Sequence, residues 1–204
     1  MGCHKICAIL AAGNTAIVKP SSWASLSMLL LAEVFDEAGF PKGVVNVLSG
    51  SGAVIGNTLV ESPDVDMVAM TGGTDTGKSI IGSSKDTVKE IALELGGKSP
   101  NIVFGDVDVD DVVKWARWAF TLNSGQVCVS GTRLILHRSI YEEFLAKLKI
   151  EAERMVPGDG FDPKTTLSTL IHKDHASTVW DYIQKGKDEG ARLICGGEPY
   201  EDEN

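Results

Sequence analysis

Short apolar runs alternate with longer segments of helical period through the first part of the chain. Ala16–Val18 reads as a buried strand closed by Lys19-Pro20. Ser21 or Ser22 caps a helix whose apolar positions include Leu26, Leu29, Leu30, Val34 and Phe35, and Gly39 with Pro41 ends it. Val44–Leu48 is the next strand. Gly50-Ser51-Gly52 then turns into a helix through Ile55 and Leu59. Val65–Met70 is a third strand, followed by the turn Thr71–Gly77 and a helix from Lys78. Strand, helix, strand, helix with short connections is the pattern of a parallel sheet covered on both faces. Right-handed crossovers place the strand-end turns along one edge, where open α/β sheets bind ligands.

The pattern continues with strands at Lys89–Leu95 and Ile102–Phe104, separated by Gly96-Gly97. Asp108–Phe120 has an amphipathic helical period with Val109, Val112, Val113, Ala116 and Phe120 on its apolar face; Trp115 and Trp118 are expected in the core or at an interface. A strand at Leu134–Leu136, helices at Ser139–Met155 and Asp174–Glu189, and a strand at Arg192–Cys195 follow. The acidic stretch Glu198–Asn204 is expected to fray. The fold class is therefore α/β: an open, Rossmann-like parallel sheet with helices on both faces (residues 1–97), continuing into a second, incomplete α/β domain (98–204).

Composition narrows the partners. At 204 residues, 43% hydrophobic and 23% charged, the chain has material for a core. A net charge of -9 argues against nucleic acid, whose phosphates require a basic stripe. No apolar run approaches the roughly 20 residues that span a bilayer, and Ile6–Ala12 suits a folded element better than a signal segment. The four cysteines are scattered, which points to a reducing compartment and a cytoplasmic location. Cys3-His4 with Cys7, and His172 with His175, lack the second half of a zinc site, so no metal is expected.

Candidate chemistry gathers at Asn123–Arg133, where Cys128 follows a Gly-Gln step between two valines. The stretch reads as a loop entering a helix, whose free N–H groups and dipole favour a thiolate and hold an oxyanion. A second candidate is Gly72–Ser79, which satisfies the P-loop pattern between a strand and a helix. A nucleotide triphosphatase would wrap phosphates there and hold magnesium on Ser79. Three strand-like runs precede the turn, however, and Asp106 is a poor partner aspartate. The same turn also suits a dinucleotide pyrophosphate.

Taken together, Leu93-Glu94-Leu95-Gly96-Gly97-Lys98 and Gly125-Gln126-Val127-Cys128, at their spacing, resemble the two signature segments of the aldehyde dehydrogenase superfamily. Leu10–Asn14 with Val18-Lys19-Pro20, Glu37–Pro41 with Gly43–Val47, and Thr71-Gly72 with Gly77 extend the likeness along almost the whole chain. The resemblance implies that Cys128 attacks an aldehyde carbonyl, with the oxyanion on its own backbone N–H and a side-chain amide. Hydride then passes to a nicotinamide, leaving a thioester, and Glu94 is the general base for its hydrolysis. It implies Lys19 on the adenosine ribose, and Gly52, Thr71, Gly72, Gly73, Thr74, Gly77 and Leu95 around the cofactor. Ser22 stands where NAD-preferring members often carry glutamate. Uncharged, it accepts a 2′-phosphate, so NADP is favoured slightly over NAD. Gly73 replaces a common serine and Met70 a common phenylalanine, both bearing on cofactor affinity; Ser168-Thr169 stands where Gly-Pro is usual.

The family's chains are more than twice this length. No counterpart of the asparagine that completes the oxyanion hole, or of the segment that grips the nicotinamide ribose, is found in the sequence. An internal fragment of a dehydrogenase, impaired as it stands, is the expectation; a non-catalytic binding or interaction module is the alternative. Homo-oligomerisation is expected of the full-length protein, and self-association through exposed apolar surface of the polypeptide as given.

Overall fold

A computed structural model describes residues 2–200, and the chain divides into two units, Met1–Leu95 and Gly96–Asn204. In the first unit, helix α1 (Gly2–Ala11) precedes β1 (Ala16–Val18) and buries Ile6. Helix α2 (Leu26–Glu37) leads to β2 (Val45–Val47), a π-helical turn (Gly52–Gly56) and α3 (Asn57–Glu61). Strand β3 (Met67–Gly72), α4 (Thr74–Ser83) and β4 (Glu90–Leu95) complete the unit. Both strand pairs are parallel, each joined by one helix. Ala16 is opposite Val45 in the first pair, and Met67 is opposite Glu90 in the second.

Strand alternation and one close approach set the faces of β4. Leu93 and Leu95 point toward α4, so Glu94 takes the opposite face and is exposed. Gly77 makes the packing possible: a Cβ there would stand 3.0 Å from Leu95 Cδ2 and 3.4 Å from Leu93 Cδ1.

The second unit repeats the arrangement. Strand β5 (Pro100–Val103), α5 (Val109–Thr121) and β6 (Arg133–Leu136) form a parallel pair with Asn101 opposite Leu134. Asp108 caps α5, its carboxylate accepting from the N–H groups of Asp110 (2.9 Å) and Asp111 (3.3 Å). A 3₁₀ turn (Arg138–Ile140) opens α6 (Tyr141–Glu153), and α7 is Lys173–Asp188. The apolar face of α5 meets α6 and the sheet in one core of Val103, Val109, Val113, Ala116, Ile140 and Phe144, the last with no exposed surface.

Several expectations need correction. The strands form three separate parallel pairs among the described residues, rather than one continuous open sheet. Arg192–Cys195 is irregular, not a strand. A strand needs a neighbour to take its hydrogen bonds, and none of the described strands pairs with this segment. Of the two places expected for Trp115 and Trp118, the core is excluded: both are exposed and meet edge-to-face, their centroids 6.2 Å apart. They sit off the stripe of positions 109, 113 and 116 that α5 buries. Of the stretch expected to fray, Glu201–Asn204 lies outside the described residues.

Candidate active site

The residues expected to bind cofactor lie at the carboxyl ends of the first unit's strands. After β1, Lys19 runs its side chain past Gly56, and its Nζ donates to Pro20 O at 2.8 Å. The Ser22 hydroxyl donates to Gly50 O (3.3 Å), which ties the ends of β1 and β2 together. Gly52 opens the π-helical turn, capped by the Ser51 hydroxyl accepting from Val54 N–H (3.2 Å). At the other pair, Thr71 and Gly72 end β3 in register with Glu94 and Leu95. Gly73 alone links β3 to α4, and a side chain added there would meet nothing within 4 Å.

Two expectations about this turn change. Gly77 falls inside α4 rather than in the turn, its N–H donating to Gly73 O (3.1 Å) and its Cα facing Leu93 and Leu95. The P-loop alternative also fails. A phosphate-wrapping loop needs irregular backbone from Gly72 to Gly77, but α4 is already helical from Thr74. Those N–H groups are spent within the helix, apart from the free donors of its first turn. Thr74, Asp75 and Thr76 supply those donors, and Lys78 pairs with Asp75 on the surface (3.6 Å).

In the second unit the Gly97 end of one signature segment lies next to Cys128 of the other. Gly97 packs beside the Cys128 carbonyl, a Cβ there standing 3.5 Å from it. Arg133 binds the same strand entry, its N–H donating to Ser99 O (3.2 Å) and its Nε to Lys98 O (2.7 Å). Cys128, half-buried, occupies a turn closed by Ser130 N–H donating to Val127 O (3.1 Å). The helix expected to begin at Cys128 does not form; the chain passes from this turn directly into β6. Arg133 and Leu134 are drawn into pairing with β5, which leaves no length for a helix. Donors are present nonetheless, because no described group accepts from the N–H of Cys128 or Val129. The Ser130 hydroxyl, on a residue only 5% exposed, also lacks a partner among the described residues.

The approach to Cys128 carries conformational strain that sequence reasoning missed. Asn123 (φ 51°), Ser124 (φ 55°) and Gly125 (φ 75°) are consecutive left-handed residues inside the short segment Leu122–Gly125 that follows α5. That conformation costs an L-residue roughly 1–2 kcal/mol. The signal was the Asn-Ser-Gly tripeptide itself, rich in the residues that tolerate such turns. Gln126 was also missed. Its Nε2 donates to Asn123 O (3.3 Å), while its Oε1 accepts from Ile171 N–H (3.0 Å).

His172 is the N-cap of α7, its Nδ1 accepting from His175 N–H at 3.2 Å. The pair therefore serves the helix. No set of three metal-ligating side chains is grouped among the described residues. All four cysteines are free, and no described helix is long and apolar enough to cross a membrane.

A parallel βαβ architecture, a glycine turn at a helix start and a cysteine in a Gly-Gln-Val-Cys turn define a class, and comparison with known proteins agrees. The aldehyde dehydrogenase family matches residues 1–204, and the chain belongs to that family. Among its relatives, the betaine aldehyde dehydrogenase of Bacillus subtilis is 44% identical over 97% of this chain and 40% of its own length. The crystal structure of PnpE in complex with nicotinamide adenine dinucleotide superposes with a TM-score of 0.95 at 42% identity, over 98% of this chain and 41% of that one. An NADP-dependent enzyme of E. coli gives a TM-score of 0.93 at 38% identity, over 97% and 41%. The chain thus spans about 40% of the length of the relatives it matches.

Proposed function

We propose that this chain carries the nucleophile, the general base and part of the cofactor site of an NAD(P)-dependent aldehyde dehydrogenase. The observation that carries this reading is the Val127–Ser130 turn, which presents the Cys128 thiol beside two unpartnered backbone N–H groups. A thiolate on Cys128 attacks the aldehyde carbon, and the carbonyl π pair becomes an oxyanion that the Cys128 N–H can receive. Val129, next in the chain and exposed, adds apolar surface to the same turn. A nicotinamide bound at the strand ends would supply the hydride acceptor for that carbon, and the acyl group would then remain on Cys128 as a thioester. Glu94, exposed on the β4 face away from α4, removes a proton from the water that releases the acid and regenerates the thiolate.

The residues around the strand ends fit a dinucleotide. The first-turn N–H groups of α4, next to the open space at Gly73, are donors for phosphate. Lys19 offers a cation, and the Ser22 hydroxyl an uncharged donor at the ribose end. With no carboxylate at Ser22 to repel a 2′-phosphate, both NADP and NAD are accepted, NADP slightly better. Titration of both cofactors tests this, and NADP binding far weaker than NAD would contradict it. Residues 1–97 are the cofactor-binding portion and 98–204 the catalytic portion. A Rossmann-like arrangement of the parallel pairs in residues 1–97 is part of the same proposal.

Betaine aldehyde, named in the Bacillus subtilis relative, is the first substrate to try. Incubation with that aldehyde and either cofactor is expected to form reduced cofactor, and Cys128→Ser to abolish it. Glu94→Gln is expected to retain the acyl group on Cys128, detectable by mass spectrometry. The second reading is a binding module without turnover. Absence of both reduced cofactor and an acyl adduct would select it.

A further inference from the structure

Two side chains just ahead of Cys128 reach far along the chain to the same short segment. Gln126 Oε1 accepts from Ile171 N–H at 3.0 Å, and the Ser124 hydroxyl donates to Ser168 O at 2.7 Å. Gln126 Nε2 and Asn123 Nδ2 also cross-link locally, to Asn123 O and Gln126 O at 3.3 Å each. One long bond leaves from within the left-handed run Asn123–Gly125, a backbone that persists only when its surroundings hold it, and the other from the residue that follows the run. The same segments line an open groove of about 320 Å³, with Arg117, Thr121 and Asn123 on one side and Thr165, Ser168 and Thr169 on the other.

We propose that residues 168–171 form a strap that sets the backbone carrying Cys128, and that Gln126 and Ser124 are the positioning residues through which it acts. The inference rests on the reading of Cys128 as nucleophile. Neither side chain needs to touch the reacting atoms. Gln126 stands two residues before the sulfur, and its amide joins the strained run to the strap. Loss of the strap bonds lets Asn123 and Ser124 leave the left-handed region and carries the Cys128 turn with them.

The test is the rate at which iodoacetamide alkylates each cysteine of the full chain, read by peptide mass spectrometry, with hydrogen exchange at Ile171 alongside. Gln126→Ala is expected to slow Cys128 about fivefold to tenfold, with Cys3, Cys7 and Cys195 unchanged and Ile171 exchange accelerated. Gln126→Glu keeps the acceptor for Ile171, so its Cys128 rate and Ile171 protection should recover toward wild type. Ser124→Ala removes one strap bond from a side chain outside the core and should slow Cys128 in the same direction. It decides the matter should Gln126→Ala not fold. Wild-type rates at Cys128 in both alanine variants, or equal changes at all four cysteines, would overturn the strap. Failure of the nucleophile reading is distinguishable: wild-type Cys128 would then react no faster than the exposed Cys3 and Cys7, whatever stands at position 126.

Discussion

Ser130 and Gly77 show how single atoms are constrained here. The Ser130 hydroxyl is buried two residues beyond Cys128 with no described partner. An unsatisfied buried donor costs about 1–3 kcal/mol, so Ser130→Ala is expected to raise stability. A gain of about 1 kcal/mol corresponds to a melting temperature some 2–4 °C higher, measurable by calorimetry. A lower value would mean that the hydroxyl has a partner in solution. Gly77 and Gly82 lie in the same helix but differ in surroundings. A Cβ at Gly82 meets nothing within 4 Å, so Gly82→Ala should gain about 0.5–1 kcal/mol of helix propensity. At Gly77 the same methyl presses on Leu95 and Leu93, and overpacking of about 1–3 kcal/mol offsets that gain. Denaturant unfolding of the two variants should therefore rank Gly82→Ala above Gly77→Ala. The reverse order would show that the α4–β4 contact yields freely.

Helices α5 and α6 are joined at their exposed edge by Lys147, whose Nζ is 2.7 Å from both Asp110 and Glu143. The hydrogen bond and charge of Lys147 hold the Asp110 carboxyl below its ordinary value of 3.8. Bonds to Asp110 and Glu143 hold the Lys147 ammonium above 10.5. A depressed carboxylate contributes stability fully above its ordinary value, and that contribution disappears as the pH falls through the lowered one. Lys147→Met is therefore expected to flatten the stability curve below pH 3.8, with little change in its slope between pH 5 and pH 8. Added salt should shrink the difference, because both groups face solvent. An unchanged acid limb in urea titrations at several pH values would remove the bridge from the account. The α5 helix was legible in the sequence because its apolar period and its Asp108 cap act locally. The missing strand at Arg192–Cys195 was not, since a strand exists only by virtue of its partner.

At the scale of the molecule, apolar surface remains open in each unit. Along α2, Leu26, Leu30 and Val34 form an exposed row, Leu26 at 82% exposure. On β5–β6, Ile102 and Ile135 are both exposed on the face away from the core. Parallel strands are normally covered on both faces, so the isolated polypeptide is expected to self-associate. Light scattering checks this, and a clean monomer across micromolar concentrations would refute it. The family, the alternation of strands and helices from β1 to α6, and the choice of Cys128 and Glu94 as chemical candidates were readable from the sequence alone. They depend on short motifs and on periodicities of two and 3.6 residues, which are local properties. Only the tertiary structure decided that Gly77 packs against Leu93 and Leu95, that Cys128 occupies a turn before a strand, and that Gln126 reaches Ile171. Each depends on which distant segment arrives alongside, since a backbone N–H or a missing Cβ has no fixed use until a neighbour closes on it.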